Sequence, residues 1–374
     1  MTRVSLQVSL SPQQWQAIVS GDCRGVKAAL FRAGLWWARW PYALGVWTRN
    51  WLFDWGWKKS HRARVPVISI GNLTLGGTGK TPCVEYVARF YRQHDVQVAI
   101  LSRGYGSDGG RNDEAMLLEE NLPDVPHLQG PNRVELAATA VGELESELLV
   151  LDDGYQHRRL HRDLDVVLVD ATNPWGYGYL FPRGALREPL GSLKRASVVM
   201  ITRADRVAPA ELARIRDRLQ CHTSAPVVVT RHRPIEMIGC PDRTAPVEEL
   251  KGKKVAGFCG IGNPQAFRKT LEDLQCTVED FRVYPDHHRY TREDVEVLAR
   301  WAGQQAADTI VATTQKDLVK IQLAELSDRP LWAVRIGLVF EEGQEMFDQL
   351  LQSKCQITSP SEPTNPDGDL VPPT

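Results

Sequence analysis

Between the apolar run Val65 to Ile70 and a helical stretch beginning at Cys83 lies Gly71-Asn-Leu-Thr-Leu-Gly-Gly-Thr-Gly-Lys-Thr-Pro82. No other segment limits the possible folds so sharply. Strand, glycine loop and helix in that order make a cradle for phosphate. Glycines let backbone N–H groups turn inward around an anion, the helix N-terminus adds partial positive charge, and Lys80 adds a full one. The expected binding loop is Thr74, Leu75, Gly76, Gly77, Thr78, Gly79, Lys80 and Thr81, with Thr81 placed to hold Mg²⁺. Thr74 stands where the GxxxxGK[ST] template has its first glycine, so the template alone rejects a site that the strand-to-helix context supports.

A loop of this kind needs a parallel sheet behind it, and the chain supplies one. Val65 to Ile70, Val96 to Leu101, Leu148 to Leu151, Val166 to Val169 and Val198 to Ile201 alternate with helical patterns such as Val84 to Gln93 and Arg133 to Glu143. Continuous aliphatic runs signal strands buried on both faces, and ligands then bind at their carboxyl ends. Past Arg206 further runs, Val227 to Val229, Lys254 to Cys259, Ile310 to Thr313 and Leu331 to Ile336, alternate with helices Ala266 to Leu274 and Arg292 to Ala306. The expected fold is α/β: a parallel sheet flanked by helices over 63–206, a second, smaller α/β domain over 207–345, and a tail over 346–374 whose proline-rich end is expected to be disordered.

Residues 1–62 have a different character. Eight of eleven tryptophans precede residue 58, and nine Lys/Arg face a single acid, Asp54, between Arg24 and Arg64. On a helical projection Leu30, Ala33, Trp37, Trp40, Leu44, Trp47 and Trp51 share one side, with Lys27, Arg32, Arg39 and Arg49 opposite. Such a helix suits a membrane interface, where tryptophan and arginine meet headgroups. Its charges and Pro41 interrupt the apolar run well short of the roughly 20 residues a spanning helix needs. A helical cap packing its tryptophans onto the core is the other arrangement, and Pro41 is expected to divide the segment in two. The net charge of −1 argues against nucleic acid bound over a broad surface. Seven scattered cysteines suggest neither a zinc site nor a disulfide framework.

Reactive residues collect at the strand ends. Asp152 and Asp153 follow the run Leu148 to Leu151, where an acid that holds Mg²⁺ belongs. Arg103 follows Val96 to Leu101 and leads toward Asp113-Glu114, while Tyr284-Pro-Asp286-His287-His288-Arg-Tyr290 gathers imidazoles beside an acid in a loop. Arg187-Glu188 reads either as part of a site or as a surface ion pair.

Together GNLTLGGTGKTP, LSRGYG, the Asp113-Glu114 loop, LDDGYQHRRLHRD, LFPRGALREP, FCGIGNP and PDHHRY resemble, in order, the tetraacyldisaccharide 4′-kinase family, over about residues 55–320. The resemblance implies transfer of the ATP γ-phosphate to the 4′-hydroxyl of a tetraacylated glucosamine disaccharide 1-phosphate, giving lipid IVA at the cytoplasmic face of the inner membrane. ATP and Mg²⁺ are the implied cofactors and the lipid and membrane surface the implied partners, with no obligate protein partner inferred. By the same resemblance Lys80 meets the β and γ phosphates, Thr81, Asp152 and Asp153 organise the metal, and Asp113 is the base with His287 as its partner. Arg103, Gln156, His157 and Arg187 are candidates for substrate contacts. Asn112, Arg183 and Gln315 depart from the family pattern. A partner-switching ATPase of the partitioning type is the alternative; such proteins carry lysine before the paired glycines, where this chain has Leu75.

Overall fold

The structure, a computed structural model, describes residues 12–104 and 113–355. Its strands are β1 (Val67–Asn72), β2 (Val98–Ser102), β3 (His127–Gln129), β4 (Leu148–Asp152), β5 (Leu164–Asp170), β6 (Val198–Thr202), β7 (Val227–Gly239), β8 (Arg243–Ala245), β9 (Lys254–Cys259), β10 (Thr277–Val283), β11 (Ile310–Thr314), β12 (Glu325–Leu326) and β13 (Arg329–Glu342). The helices are α1 (Pro12–Ser20), α2 (Val26–Asp54), α3 (Lys80–Arg92), α4 (Asp113–Asn121), α5 (Arg133–Gly142), α6 (Pro209–Gln220), α7 (Pro264–Asp273), α8 (Arg292–Gly303), α9 (Gln315–Ile321) and α10 (Gln344–Gln352).

One sheet runs through the molecule in the order β10-β9-β11-β13-β7-β6-β5-β1-β4-β2-β3. Along that path each described pair is parallel except β13 with β7. The aliphatic strands β1, β4, β5 and β6 are buried along their whole length, as helices on both faces require. β7 and β13 extend well beyond the apolar runs expected there: only Val227 to Val229 of β7 pairs with β6, and only Leu331 to Val334 of β13 pairs with β11. Between those ends the two strands pair chiefly with each other, through polar positions such as Arg231, His232 and Arg233. Polar residues survive there because a two-stranded ribbon buries little.

The sheet's first-half core lies beneath α3, where Val84, Val87 and Tyr91 meet Ile68, Ile70 and Val150. Phe347 and Leu351 of α10 complete it, so the segment expected to begin a tail at 346 opens as a packed helix. The proline-rich end expected to be disordered, 359–374, lies outside the described residues. In the second half Phe258, Trp301 and Leu331 share one core, and Val255, Phe267 and Val334 another.

At the N-terminus α2 is a single helix of 29 residues that passes through Pro41. The expected break does not occur. Pro41 is exposed, so the carbonyl it leaves without a donor faces water, and packing of the opposite face holds both arms in line. That inner face docks on the core: the Tyr42 hydroxyl donates to the Arg187 carbonyl at 3.0 Å, and Arg49 and Asn50 donate to Glu188 at 2.6 and 3.1 Å. Outward stand Leu30, Trp37, Trp40, Leu44 and Trp47, all exposed. Among the described residues no helix is long and apolar enough to cross a membrane. The charged side differs from the sequence expectation. Arg49 is held by Glu188, Arg32 donates to the carbonyls of Ile18 and Cys23, and Arg39 lies over the rings of Trp36, Trp40 and Tyr179.

Candidate active site

The phosphate loop leaves β1 and enters α3 at Lys80. Its path is fixed from both sides: Asn72 donates to the Thr74 carbonyl at 2.8 Å, the Leu75 N–H to the Ala185 carbonyl at 2.7 Å, and the Thr202 hydroxyl to the Thr78 carbonyl at 2.9 Å. Gly79 has φ 83°, and a Cβ there would sit 2.0 Å from Cε1 of His232. Only glycine fits. His232, packed in that position, is neutral: burial first, then the charge of Arg203, pushes its pKa down to about 4.

Beyond the loop, β4 delivers Asp152 and the chain turns at Asp153 through a left-handed conformation, φ 53°. Asp153 accepts two hydrogen bonds from Arg187, at 2.7 and 2.9 Å, and lies 3.6 Å from Lys80 Nζ. Burial opposes its ionisation, but Arg187 and Lys80 prevail and its pKa is lowered. Asp152 behaves oppositely. Burial, assisted by the charges of Glu114 and Asp153 and resisted by Lys80, raises it to about 6. Its Oδ1 is buried without a hydrogen-bond partner among the described residues. An unsatisfied anionic oxygen beside a phosphate loop suits a divalent cation or its water shell, and Thr81 opens the adjoining helix, so these residues fit Mg²⁺.

A second cluster joins the two halves of the chain. Asp113 begins α4, and its Oδ2 receives His287 Nδ1 at 2.8 Å and Lys320 Nζ at 2.6 Å. Burial would raise the Asp113 pKa; the hydrogen bonds and charges of Lys320 and His287 outweigh it and lower the value. His287 has φ 58°, and its loop is braced by the fully buried Asp317, which accepts from the Gly260 N–H, the Tyr290 hydroxyl and the Thr314 hydroxyl. Glu114 of α4 faces Lys316 at 3.7 Å while its charge reaches Asp152, so this cluster borders the acid pair.

The remaining candidates separate. Gln156 donates to the Asn72 carbonyl at 2.9 Å and so braces the end of β1. His157 lies among Arg133, Arg159, Arg162 and Arg103; burial first, and then those charges, push it down to about 4. Arg103 is exposed at the end of β2. Tyr105, Gly106 and Asn112 lie outside the described residues. Arg187 and Glu188 do not pair with one another: Arg187 holds Asp153, while Glu188, 0% exposed, is held by Arg49 and by Arg195 at 2.8 Å.

The family model for tetraacyldisaccharide-1-phosphate 4′-kinase matches residues 31–356. The chain belongs to this family. A tetraacyldisaccharide 4′-kinase of Anaeromyxobacter sp. (strain Fw109-5) is 41% identical over 330 residues, 83% of this chain and 88% of that one. One from Syntrophus aciditrophicus is 38% identical over 336 residues, 83% of this chain and 89% of that one. The crystal structure of LpxK from Aquifex aeolicus in complex with ATP superimposes with a TM-score of 0.72 at 30% identity, covering 86% of this chain and 99% of that one. Against this family background two residues of the site escaped sequence reasoning. Lys320 carried one weak signal, its i,i+4 spacing from Lys316 on a short helix. His232 carried none, because nothing in a Thr-Arg-His-Arg run shows that it packs on Gly79.

Proposed function

We propose that the chain transfers the γ-phosphate of ATP to the 4′-hydroxyl of a tetraacylated glucosamine disaccharide 1-phosphate, forming lipid IVA. The observation that carries this reading is the carboxylate–imidazole pair, Asp113 from the first half and His287 from the second, 2.8 Å apart, whose neighbour Glu114 reaches the acid at the end of β4 with its charge. The reading keeps 63–206 as the kinase core and 207–345 as the second domain, so the base is built from both, already joined through Asp113 and His287. Thr74 to Thr81 wrap the triphosphate, and Lys80 stabilises charge on the transferring group. Mg²⁺ held by Thr81, Asp152 and Asp153 would neutralise charge on the β and γ phosphates. Arg187 fixes Asp153 through two hydrogen bonds. A sugar hydroxyl is too weak an acid to ionise unaided at neutral pH; Asp113 takes its proton as the new O–P bond forms, and His287 holds the carboxylate in line. Arg103, Gln156 and His157 lie along the same edge of the sheet for the disaccharide.

Docking at the cytoplasmic face of the inner membrane goes with this substrate. Extracting a tetraacylated lipid costs about 0.8 kcal/mol for each methylene exposed to water, so an enzyme that leaves the chains in the bilayer avoids a large penalty. The exposed stripe Leu30, Trp37, Trp40, Leu44 and Trp47 enters the interface, while the inner face of α2 stays on the core.

Incubation of purified protein with labelled ATP and the disaccharide 1-phosphate lipid tests the activity, with a product one phosphate heavier expected. Lys80→Ala should reduce turnover by about 10³-fold or more. Near-wild-type turnover in a folded Lys80→Ala protein, or ATP hydrolysis with no lipid product, would refute the reading.

A further inference from the structure

Lys320 is a lysine almost out of water, with 9% of its side chain exposed. An exposed lysine–carboxylate pair is worth little and can form by chance. A buried one is costly to desolvate and, once made, costly to break. Both Lys320 and His287 approach Oδ2 of Asp113, and neither contact uses Oδ1. The frame behind Lys320 is rigid: α9 is capped by Thr314, anchored through buried Asp317 to the loop that carries His287, and tied to α4 by a hydrogen bond from Gln315 to Asn121. Lysine, imidazole and carboxylate therefore keep one geometry although they come from three elements.

We propose that Lys320 is a positioning residue for phosphoryl transfer, gripping Oδ2 of Asp113 from the second half so that the carboxylate is ionised and its Oδ1 edge faces the acceptor hydroxyl. This deepens the assignment of Asp113 as base and rests on it. Among the described residues the charged groups around Asp113 are Lys320 and His287 in contact, Asp286 3.9 Å from the imidazole, and Glu114 facing Lys316. Among them Lys320 supplies the full positive charge in direct contact. An opposite charge at such range lowers a carboxylate pKa by about 1 to 3 units, so its loss lets Asp113 protonate nearer neutrality. A lysine serving only to dock α9 on α4 would leave the pH dependence of the base untouched.

The test compares wild type, Lys320→Met, Lys320→Gln, Lys320→Arg and Asp113→Asn for lipid phosphorylation across pH 5 to 9, with ATP binding as the check on folding. Either neutral variant should lower kcat by about 10- to 100-fold with the KM for ATP within about twofold, and should move the acid limb of the kcat profile upward by about one unit or more. Lys320→Arg should restore the limb and most of the rate. An unmoved limb in a neutral variant that binds ATP would overturn the proposal, as would an arginine variant no better than the neutral ones. Asp113→Asn separates the two claims. If it is inactive while the lysine variants behave as wild type, the proposal for Lys320 alone fails; if it turns over normally, the base assignment fails and the proposal with it.

Discussion

Glu188 joins the tryptophan helix to the catalytic edge of the sheet, and its removal should be out of proportion to the size of the change. Its side chain is 0% exposed and accepts from Arg49, Asn50 and Arg195, whose own exposures put Arg49 at 32% and Arg195 at 14%. Glu188→Ala strands the nearly buried Arg195 without its counter-ion, and breaking a buried pair from one side costs about 3 to 5 kcal/mol. Arg49→Ala leaves Glu188 with Arg195 and removes a partner that water already reaches, at about 1 kcal/mol. For a chain this long each kcal/mol moves Tm by about 2 °C, so the expected falls are roughly 6 to 10 °C for Glu188→Ala and roughly 2 °C for Arg49→Ala. Thermal unfolding of both single variants and the double variant, without nucleotide, measures this. In the double variant Arg49→Ala should add almost nothing. Equal falls for the two single variants would refute the burial argument. The pH dependence has a definite sign. Burial would raise the Glu188 pKa, yet Arg195 and Arg49 lower it below 4.5. Its contribution is therefore complete above the unfolded carboxylate value and lost as pH falls through the folded one.

Gly79→Ala should cost about 2 to 4 kcal/mol even without nucleotide, because its Cβ meets His232 in a left-handed backbone, whereas Gly77→Ala, with open space around it, should unfold within about 0.5 kcal/mol of wild type; similar denaturant midpoints for both would show that the ring yields easily. His157 and His232 titrate near 4 rather than 6.5, so the unfolded chain binds protons first; stability should decline as pH falls from 6.5 toward 4, and the slope should be shallower in His232→Gln. Asp152, raised from 3.8 to about 6, opposes that decline below pH 6, so the stability obtained from denaturant titrations at pH 7, 6 and 5 should fall more steeply with falling pH in Asp152→Asn than in wild type. Replacing Trp37, Trp40 and Trp47 by serine should weaken flotation with anionic vesicles and lipid phosphorylation while ATP binding persists; undiminished flotation would remove the interface from the account.

The central strands were legible because strands buried on both faces have to be aliphatic throughout, and β1, β4, β5, β6 and β9 fall close to their apolar runs. Half-buried strands lack that signature. β10, Thr277–Val283, alternates partly exposed residues at the sheet edge, and the middle of β7 is polar because a ribbon has little to bury, so neither registers as a long aliphatic run. The same limit applies to the site. The loop and the Asp152-Asp153 pair are contiguous and carry their own pattern, whereas the grips of Lys320 on Asp113 and of Arg49 on Glu188 span 207 and 139 positions and exist only through tertiary packing. Pro41 shows propensity overruled: the helix continues because the face it docks matters more than one missing N–H.

α10 has a bearing on how the molecule can be made. Tyr91 donates to the Leu351 carbonyl at 2.6 Å and Tyr86 to Asp348 at 2.7 Å, so the helix behind the phosphate loop is sealed by residues that follow the entire second half. The core behind the phosphate loop is thus discontinuous along the chain, closed by residues that come after nearly all of the second half. On a ribosome emitting about 5 to 20 residues each second, Val84 and Val87 emerge many seconds before their last apolar neighbours. Until Phe347 and Leu351 arrive, one face of that core remains uncovered, and the period of greatest exposure to misassembly is set by the length of the intervening half.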